Sequence, residues 1–426
     1  MKRILIISYL FPPASALDGS MRMLKFVKYL PNFGYKPYVI SVRDAFLSED
    51  KTLLSQIPTE AHVARIIQFD LRYLLRLFKK RRASENEKVY SARFTRLRKI
   101  ISSLMFPDSA GGWIVPAVLT GLRLIKKEKI DIILATAGPY SSLIVGYLLK
   151  IVTGKPLILD YRDLQIQGKV IVRLDIAKRF KSSFEKKILN CADVVVTASA
   201  VAMQKLIRST GLPADKFQVI TNGFDPDDFK LCQAGSGEDV FNIYYSGYLY
   251  LKRTPFLFFE TIERLINKGF FKHQVNIRIF GRVEKDVLKN KSVAGLLKSN
   301  NLIIEGMLPY ADSIKKLNQS DILLAAVDTD ATEMLPAKLF EYMMFDKPIL
   351  VIGPPGAAAV DMVNNFHLGK GVDYSDGLKI EEAIKELYNT IKINGAKLQR
   401  DNKVIGQFER KVLTKKLVEI AESQIR

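Results

Sequence analysis

Cysteine is nearly absent from the 426-residue chain, which has only Cys191 and Cys232. Two thiols supply neither a disulfide framework nor a cysteine-based metal cluster, and they fit a reducing compartment. Histidine is equally scarce. His62, His273 and His367 are too scattered for a metal-ligand motif, so no metal site is expected. Long apolar runs are missing as well. The best, residues 143–152, contains Lys150 and falls short of the ~20 residues of a membrane span. Acidic residues are in deficit, with 44 Asp and Glu against 65 Lys and Arg and a formal net charge of +21. That surplus favours a polyanionic partner: nucleic acid, an anionic membrane surface or a phosphorylated substrate. No zinc-finger spacing or aromatic-basic RNA-recognition signature accompanies it, so nucleic acid is not the expected partner. Met1-Lys2-Arg3, an apolar run over 4–11 and Ala14-Ser15-Ala16 imitate a secretion signal, but Pro12-Pro13 cuts the run short. A first buried strand is the better reading.

What is present is an alternating pattern of short apolar runs and amphipathic stretches, in a chain that is 48% hydrophobic. Strands are expected at 4–8, 37–42, 64–69, 131–136, 157–161, 194–197 and 217–221, with helices at 20–30, 116–127, 180–189 and 201–209 among them. A polar, Gly-containing linker at 233–239 follows. The pattern then resumes with strands at 241–245, 275–280, 302–305, 321–326, 349–352 and 369–374 and a helix at 256–267. Such alternation implies doubly wound α/β domains, and the length suits two of them at ~100–200 residues each. The expected division is 1–230, 231–404 and a last helix, 405–426.

The most informative stretch runs from Glu333 to Gly353. Pro336 suits the first turn of a helix expected over 336–345, ended by Asp346 and followed by Lys347-Pro348 and a buried strand. Glu333 then lies in the loop before the helix and Glu341 inside it. A helix N-terminus can receive a phosphate, and two flanking carboxylates can accept hydrogen bonds from sugar hydroxyls. Leu335 and Lys338 belong to the same turn. Elsewhere, Gly19-Ser20-x-Arg22 follows the first strand and could hold a diphosphate through backbone N–H groups and a guanidinium. Gly247 with the basic pair Lys252-Arg253 precedes a helix and could do the same. Asp160-Tyr161-Arg162-Asp163 closes a strand, where it reads either as a structural ion pair or as a sugar site. Asp328-Thr329-Asp330 superficially resembles a metal-binding Asp-x-Asp, and is discounted in this α/β setting.

The Glu333-x7-Glu341 spacing, with Pro336-x-Lys338 and Phe340-Glu341-Tyr342-Met343 before Lys347-Pro348, resembles a signature of glycosyltransferase family 4. Further motifs come in that family's order: Phe11-Pro12-Pro13 before Gly19-Ser20, Pro107-Asp108 before Gly112-Trp113, Gly138-Pro139-Tyr140-Ser141, Asp160-x-Arg162-Asp163 and Asn222-Gly223-x-Asp225. The resemblance implies the GT-B fold, two Rossmann-like domains facing each other across a cleft, with the acceptor in the first and a nucleotide-sugar in the second. It also implies a metal-independent hexosyl transfer from a UDP- or GDP-linked donor with retention of anomeric configuration and no cofactor. In its terms Glu341 binds ribose, Glu333 the donor sugar, and Lys252 and Arg253 the leaving diphosphate. Gly19, Ser20, Arg22, Gly247, Leu335 and Lys338 assist on the donor side, and Arg162 and Asp163 lie at the reacting centre. Asp160, Tyr140 and Asn222 are placed on the acceptor side. Many members carry a His in the first domain near the donor sugar. None of the three His here fits, and Asp160-Tyr161-Arg162-Asp163 occupies that neighbourhood. The last helix is expected to cross back to the first domain.

Residues 71–106 carry eleven Lys or Arg against two Glu, interleaved with Leu, Phe, Tyr and Ile. A basic amphipathic segment of this kind suits an anionic bilayer surface. An insertion packed on its domain with a solvated basic face accounts for the same pattern, and both readings stand at this point. The first points to a lipid-linked saccharide or lipopolysaccharide precursor as acceptor, at the inner face of the cytoplasmic membrane. Two alternatives to transfer are a nucleotide-sugar epimerase of the same fold and a non-catalytic nucleotide-sugar-binding or assembly protein.

Overall fold

The computed structural model describes residues 1–14, 19–43, 49–68, 108, 110–162, 175–230, 240–396 and 400–425. The basic segment 71–106 and the linker 233–239 lie outside the described residues. The chain forms two compact units, Met1–Ile220 with Thr414–Arg426, and Thr221–Leu413.

The first unit is built on a parallel sheet of seven strands: β1 (Lys2–Ile7), β2 (Tyr35–Val42), β3 (His62–Ile66), β4 (Ile132–Thr136), β5 (Leu157–Tyr161), β6 (Val194–Thr197) and β7 (Phe217–Val219). Their order is β3-β2-β1-β4-β5-β6-β7. Ile4, Leu5, Ile6 and Ile7 are all fully buried, as expected of a strand flanked by parallel neighbours and covered on both faces by helices. The helices Met21–Tyr29, Ile114–Lys127 and Ser141–Thr153 carry the matching apolar sides, with Leu24, Ala117 and Leu143 at full burial. Trp113 is also fully buried and meets the Tyr9 ring edge-on at 5.4 Å.

The second unit repeats the plan with β8 (Val240–Leu249), β9 (Gln274–Val283), β10 (Leu302–Gly306), β11 (Ile322–Ala326), β12 (Ile349–Gly353) and β13 (Gly369–Asp373). The order is β10-β9-β8-β11-β12-β13, again all parallel. An aromatic cluster of Phe241, Phe271 and Tyr388 closes one end of its core. Each sheet has one place where the strand order reverses, β1/β4 and β8/β11. The loops at the carboxyl ends of such strands diverge there and leave a crevice suited to a ligand.

Three expectations are corrected. The strands expected to end at 245 and 280 run on to Leu249 and Val283, paired in register through Gly247 and Gly281. A Cβ at Gly281 would stand 1.9 Å from the Gly247 carbonyl oxygen, so glycine is what lets the ladder continue. The helix expected over 336–345 spans only Ala337–Tyr342. Phe345 and Met343 instead offer their carbonyls to the Arg400 guanidinium. The last helix is interrupted, as Asn402–Gly406 and Arg410–Gln424. At the break, the Phe224 N–H donates to the Phe408 carbonyl (3.1 Å) and the Arg410 N–H to the Phe224 carbonyl (2.7 Å). Those same bonds tie residues 222–230 to 402–413. The compact units meet at 220/221 and 413/414 along the chain.

Candidate active site

In the second unit the order reverses between β8 and β11, and the loops after these strands carry most of the donor-side residues. After β8 the chain makes a 3-10 turn, Leu251–Arg253. After β11 a loop containing Glu333 and Leu335, both half-buried, leads to Pro336 and the helix Ala337–Tyr342. Leu339, Phe340 and Tyr342 turn into the core, which leaves Lys338 and Glu341 at the loop side. Six residues make too short a helix for its dipole to hold a phosphate, so anion attraction here rests on side chains.

Two cations supply it. The Lys338 side chain reaches back to β8, with Nζ 3.5 Å from the centre of the Tyr245 ring. A Cβ on Gly247, whose φ is +132°, would lie 2.9 Å from that Nζ. The Nζ atom is shielded from solvent and has no hydrogen-bond acceptor. The Arg253 guanidinium stacks over Tyr250 at 5.0 Å and directs Nη2 to the Met334 sulfur at 3.5 Å. Its Nε is buried without an acceptor too. Burial, and then the charge of Arg253, push the Lys338 ammonium well below the ordinary lysine range, against the pull of Glu341. Buried donors left without acceptors are costly. Two such groups side by side suit an anion with several oxygens.

Lys252 does not join this pair. It is exposed and bonded to Asp330, which raises its proton affinity. Asp330 is held in turn by the Asp328 carboxylate, which accepts the Asp330 N–H (2.9 Å) and the Tyr250 hydroxyl (2.6 Å). Burial first, then that bond, push the Tyr250 hydroxyl up to about 12. Asp328-Thr329-Asp330 is thus a self-braced turn that positions the Tyr250 ring beneath Arg253. Among the described residues no group of three or more His, Cys, Asp or Glu is placed to hold a metal ion.

Glu341 is half-buried and acts electrostatically on Tyr310 and Tyr342. The Tyr310 hydroxyl donates to Asp228 at 3.0 Å, and Arg410 adds a compensating positive charge. Residues far apart in sequence thereby share the electrostatic surroundings of Glu341. None of Tyr245, Tyr250, Tyr310, Asp228 or Arg410 was singled out from the sequence. Only their contact with the signature helix and the basic turn distinguishes them.

The first unit sorts its own residues differently from expectation. Arg22 is buried inside the fold: Nη2 lies 2.8 Å from Asp160 Oδ1, Nε contacts both carboxylate oxygens, and Nη2 also donates to the Ile220 carbonyl at 2.8 Å. Asp160 accepts the Thr136 hydroxyl at 2.8 Å as well. Both side chains are thus engaged with each other inside the fold. Ser20 is buried and donates its hydroxyl to the Ala14 carbonyl. Arg162 is half-buried and bridges two loops, donating to the carbonyls of Gly19 (2.6 Å) and Ala137 (3.0 Å). Gly19 and Gly138, at φ +89° and +94°, give it room, since a Cβ on either would approach its Nη2 within 3 Å. Asp163 lies outside the described residues.

Tyr140 is buried, its hydroxyl without a partner, and burial drives that hydroxyl well above its ordinary value. Its neighbour Ser141 is held by Asp108, whose carboxylate accepts the Ser141 N–H (2.9 Å) and hydroxyl (2.6 Å). The Asp108–Trp113 and Gly138–Ser141 motifs thus lock to each other. Asn222 is half-buried beside Gly223, where a Cβ would collide with the Phe408 carbonyl at 2.1 Å. The Asn-Gly pair meets a packing demand.

Residues 20–228 match the model of Glycosyltransferase Family 4. No curated protein matches the chain in sequence. Among solved structures, the chain is similar to a glycosyltransferase from Rickettsia africae ESF-5, with 17% identity, a TM-score of 0.67 and coverage of 100% of this chain and 99% of that one. It is similar to Anabaena HepE in complex with UDP, at 15% identity and TM-score 0.64 over 99% of this chain and 100% of that one. It is also similar to the lipopolysaccharide outer core galactosyltransferase WaaB in its apo form, at 15% identity and TM-score 0.56 over 99% of both chains. Two parallel sheets of seven and six strands with this order are the GT-B architecture.

Proposed function

We propose, for a chain that belongs to glycosyltransferase family 4 through residues 20–228, that it transfers a sugar from a UDP- or GDP-linked donor to a saccharide or lipid-linked acceptor. The observation that carries this reading is the convergence of Lys338 and Arg253, two basic side chains with shielded, unfilled nitrogens, at the strand-order reversal of the second unit. In this reading they grip the diphosphate, Glu341 binds the ribose hydroxyls, and Glu333 binds hydroxyls of the donor sugar. Arg162, Asp163, Gly19 and Ser20 stay the first unit's candidates for a part in the transfer. Arg22 and Lys252 have no direct part.

Breaking the bond between sugar and phosphate leaves negative charge on the departing diphosphate. Preorganised cations at that point stabilise the transition state more than the ground state, and loss of one such donor costs about 10²–10³ in rate. No metal is needed where two side chains supply the charge, and the anomeric configuration is retained. UDP is the nucleotide bound in the HepE structure and supports the choice of donor class. The net charge of +21 and the basic segment 71–106 support an acceptor at an anionic membrane surface. Among the described residues no helix is long and apolar enough to cross a membrane.

The test is a transfer assay with a panel of UDP- and GDP-sugars, run with and without a lipid extract and with a chelator present. Release of nucleoside diphosphate with formation of an α-product from an α-donor, undiminished by chelator, is expected. Release of free or epimerised sugar without an acceptor supports the epimerase instead. Nucleotide binding with neither transfer nor hydrolysis supports a binding protein. Flotation with anionic vesicles tests the surface, and unchanged binding after deletion of 71–106 contradicts a role for that segment.

A further inference from the structure

The Lys338 side chain sits in surroundings that do not favour its charge. Tyr245 of β8 lies under its Nζ, Arg253 faces it from the turn after β8, and Glu341 accompanies it on its own helix. The Tyr245 hydroxyl donates to the Tyr248 carbonyl and is kept protonated by burial, so it supplies no negative charge. Only Glu341 opposes the effects of burial and of Arg253, and those two outweigh it. An ammonium that is shielded from water, without an acceptor and beside a guanidinium, has only the Tyr245 ring face and the charge of Glu341 to offset its burial. A diphosphate at the same spot supplies negative charge and acceptor oxygens together.

We propose that the second unit takes up a proton when it takes up a nucleoside diphosphate, the Lys338 Nζ passing from amine to ammonium as the complex forms. This rests on the nucleotide-sugar reading of the site and deepens it. The balance is simple. The Nζ lone pair accepts one proton from solvent, and the new positive charge answers the phosphate. Release of the diphosphate after transfer returns that proton. Arg253 carries a permanent charge, so it holds the anion at every pH, while Lys338 makes the grip stronger as the solution becomes more acidic.

The experiment is calorimetric titration of the whole chain with UDP and GDP from pH 7 to pH 9, in buffers of differing ionisation heat. The nucleotide's own phosphate titrates near pH ~6, below this window. Binding should consume protons within this window, and Kd should rise as the pH rises. Lys338→Arg, which is always charged, should bind nucleotide with no proton uptake and a flat pH profile. Nucleotide binding by the unsubstituted chain without proton uptake overturns the proposal, as does a Lys338→Arg chain that keeps the same pH dependence. Absence of UDP or GDP binding at any pH overturns the nucleotide reading itself, and the proposal with it.

Discussion

Arg22 and Asp160 form an ion pair closed off from solvent, Nη2 to Oδ1 at 2.8 Å, with side chains 1% and 2% exposed. Residue 22 stands at the start of the helix after β1 and residue 160 near the end of β5, so the pair ties the flank of the sheet to the loop after its first strand. The Ile220 carbonyl and the Thr136 hydroxyl add hydrogen bonds to it. Removing one member leaves the other buried and unpaired, at a cost of about 3–5 kcal/mol. Arg22→Met and Asp160→Asn should each lower the urea midpoint of the first unit accordingly. A loss in either variant of less than about 1 kcal/mol contradicts the structural role.

Gly247 has a different constraint. Its φ of +132° and the 2.9 Å approach to Lys338 Nζ both exclude a side chain. Gly247→Ala should lose about 1–3 kcal/mol of stability from backbone strain and displace Lys338. Nucleotide affinity should then fall by an order of magnitude or more, about 1.4 kcal/mol. Comparison of thermal melts with and without UDP separates the two effects.

Glu185 is buried and accepts the Tyr161 hydroxyl, and burial pushes its carboxyl up to about 8 from an ordinary 4.5. The folded state therefore binds more protons than the unfolded state between those values. Its contribution is complete below about 4.5, declines as pH rises and is lost once pH passes about 8, with a slope of at most ~1.4 kcal/mol per pH unit. Denaturation of the unsubstituted chain across pH 5–8 should show this decline, and Glu185→Gln should flatten it.

Asp108 holds Ser141 through two hydrogen bonds at the start of the helix Ser141–Thr153. Its loss resembles loss of a helix cap, which costs ~0.5–2 kcal/mol. Asp108→Ala should be destabilised by that amount in urea titration while nucleotide affinity stays constant.

Much of this was legible because parallel strands buried on both faces read as plain apolar runs. Residues 157–161 and 194–197 became strands, and 256–267 a helix, to the residue. The Glu333–Glu341 frame was equally clear, since Pro336 marks a helix start locally. Partner choice was not legible. Asp160 has Arg162 two residues away, yet pairs with Arg22 at a separation of 138. Lys252 and Arg253 look alike in sequence, and only the positions of Asp330 and Tyr250 send one to the surface and the other towards Lys338. The break at 407–409 has its cause in Phe224, far back in the chain.

The central claim is that Lys338 and Arg253 hold the diphosphate of a nucleotide donor. Equilibrium binding of UDP and GDP to the unsubstituted chain and to Lys338→Met with Arg253→Met tests it most directly. The account predicts selective binding of one nucleotide by the former and at least a hundredfold loss, about 2.7 kcal/mol, in the latter at unchanged fold. Equal affinity in both proteins, or no binding of any nucleoside diphosphate to the unsubstituted chain, would contradict it.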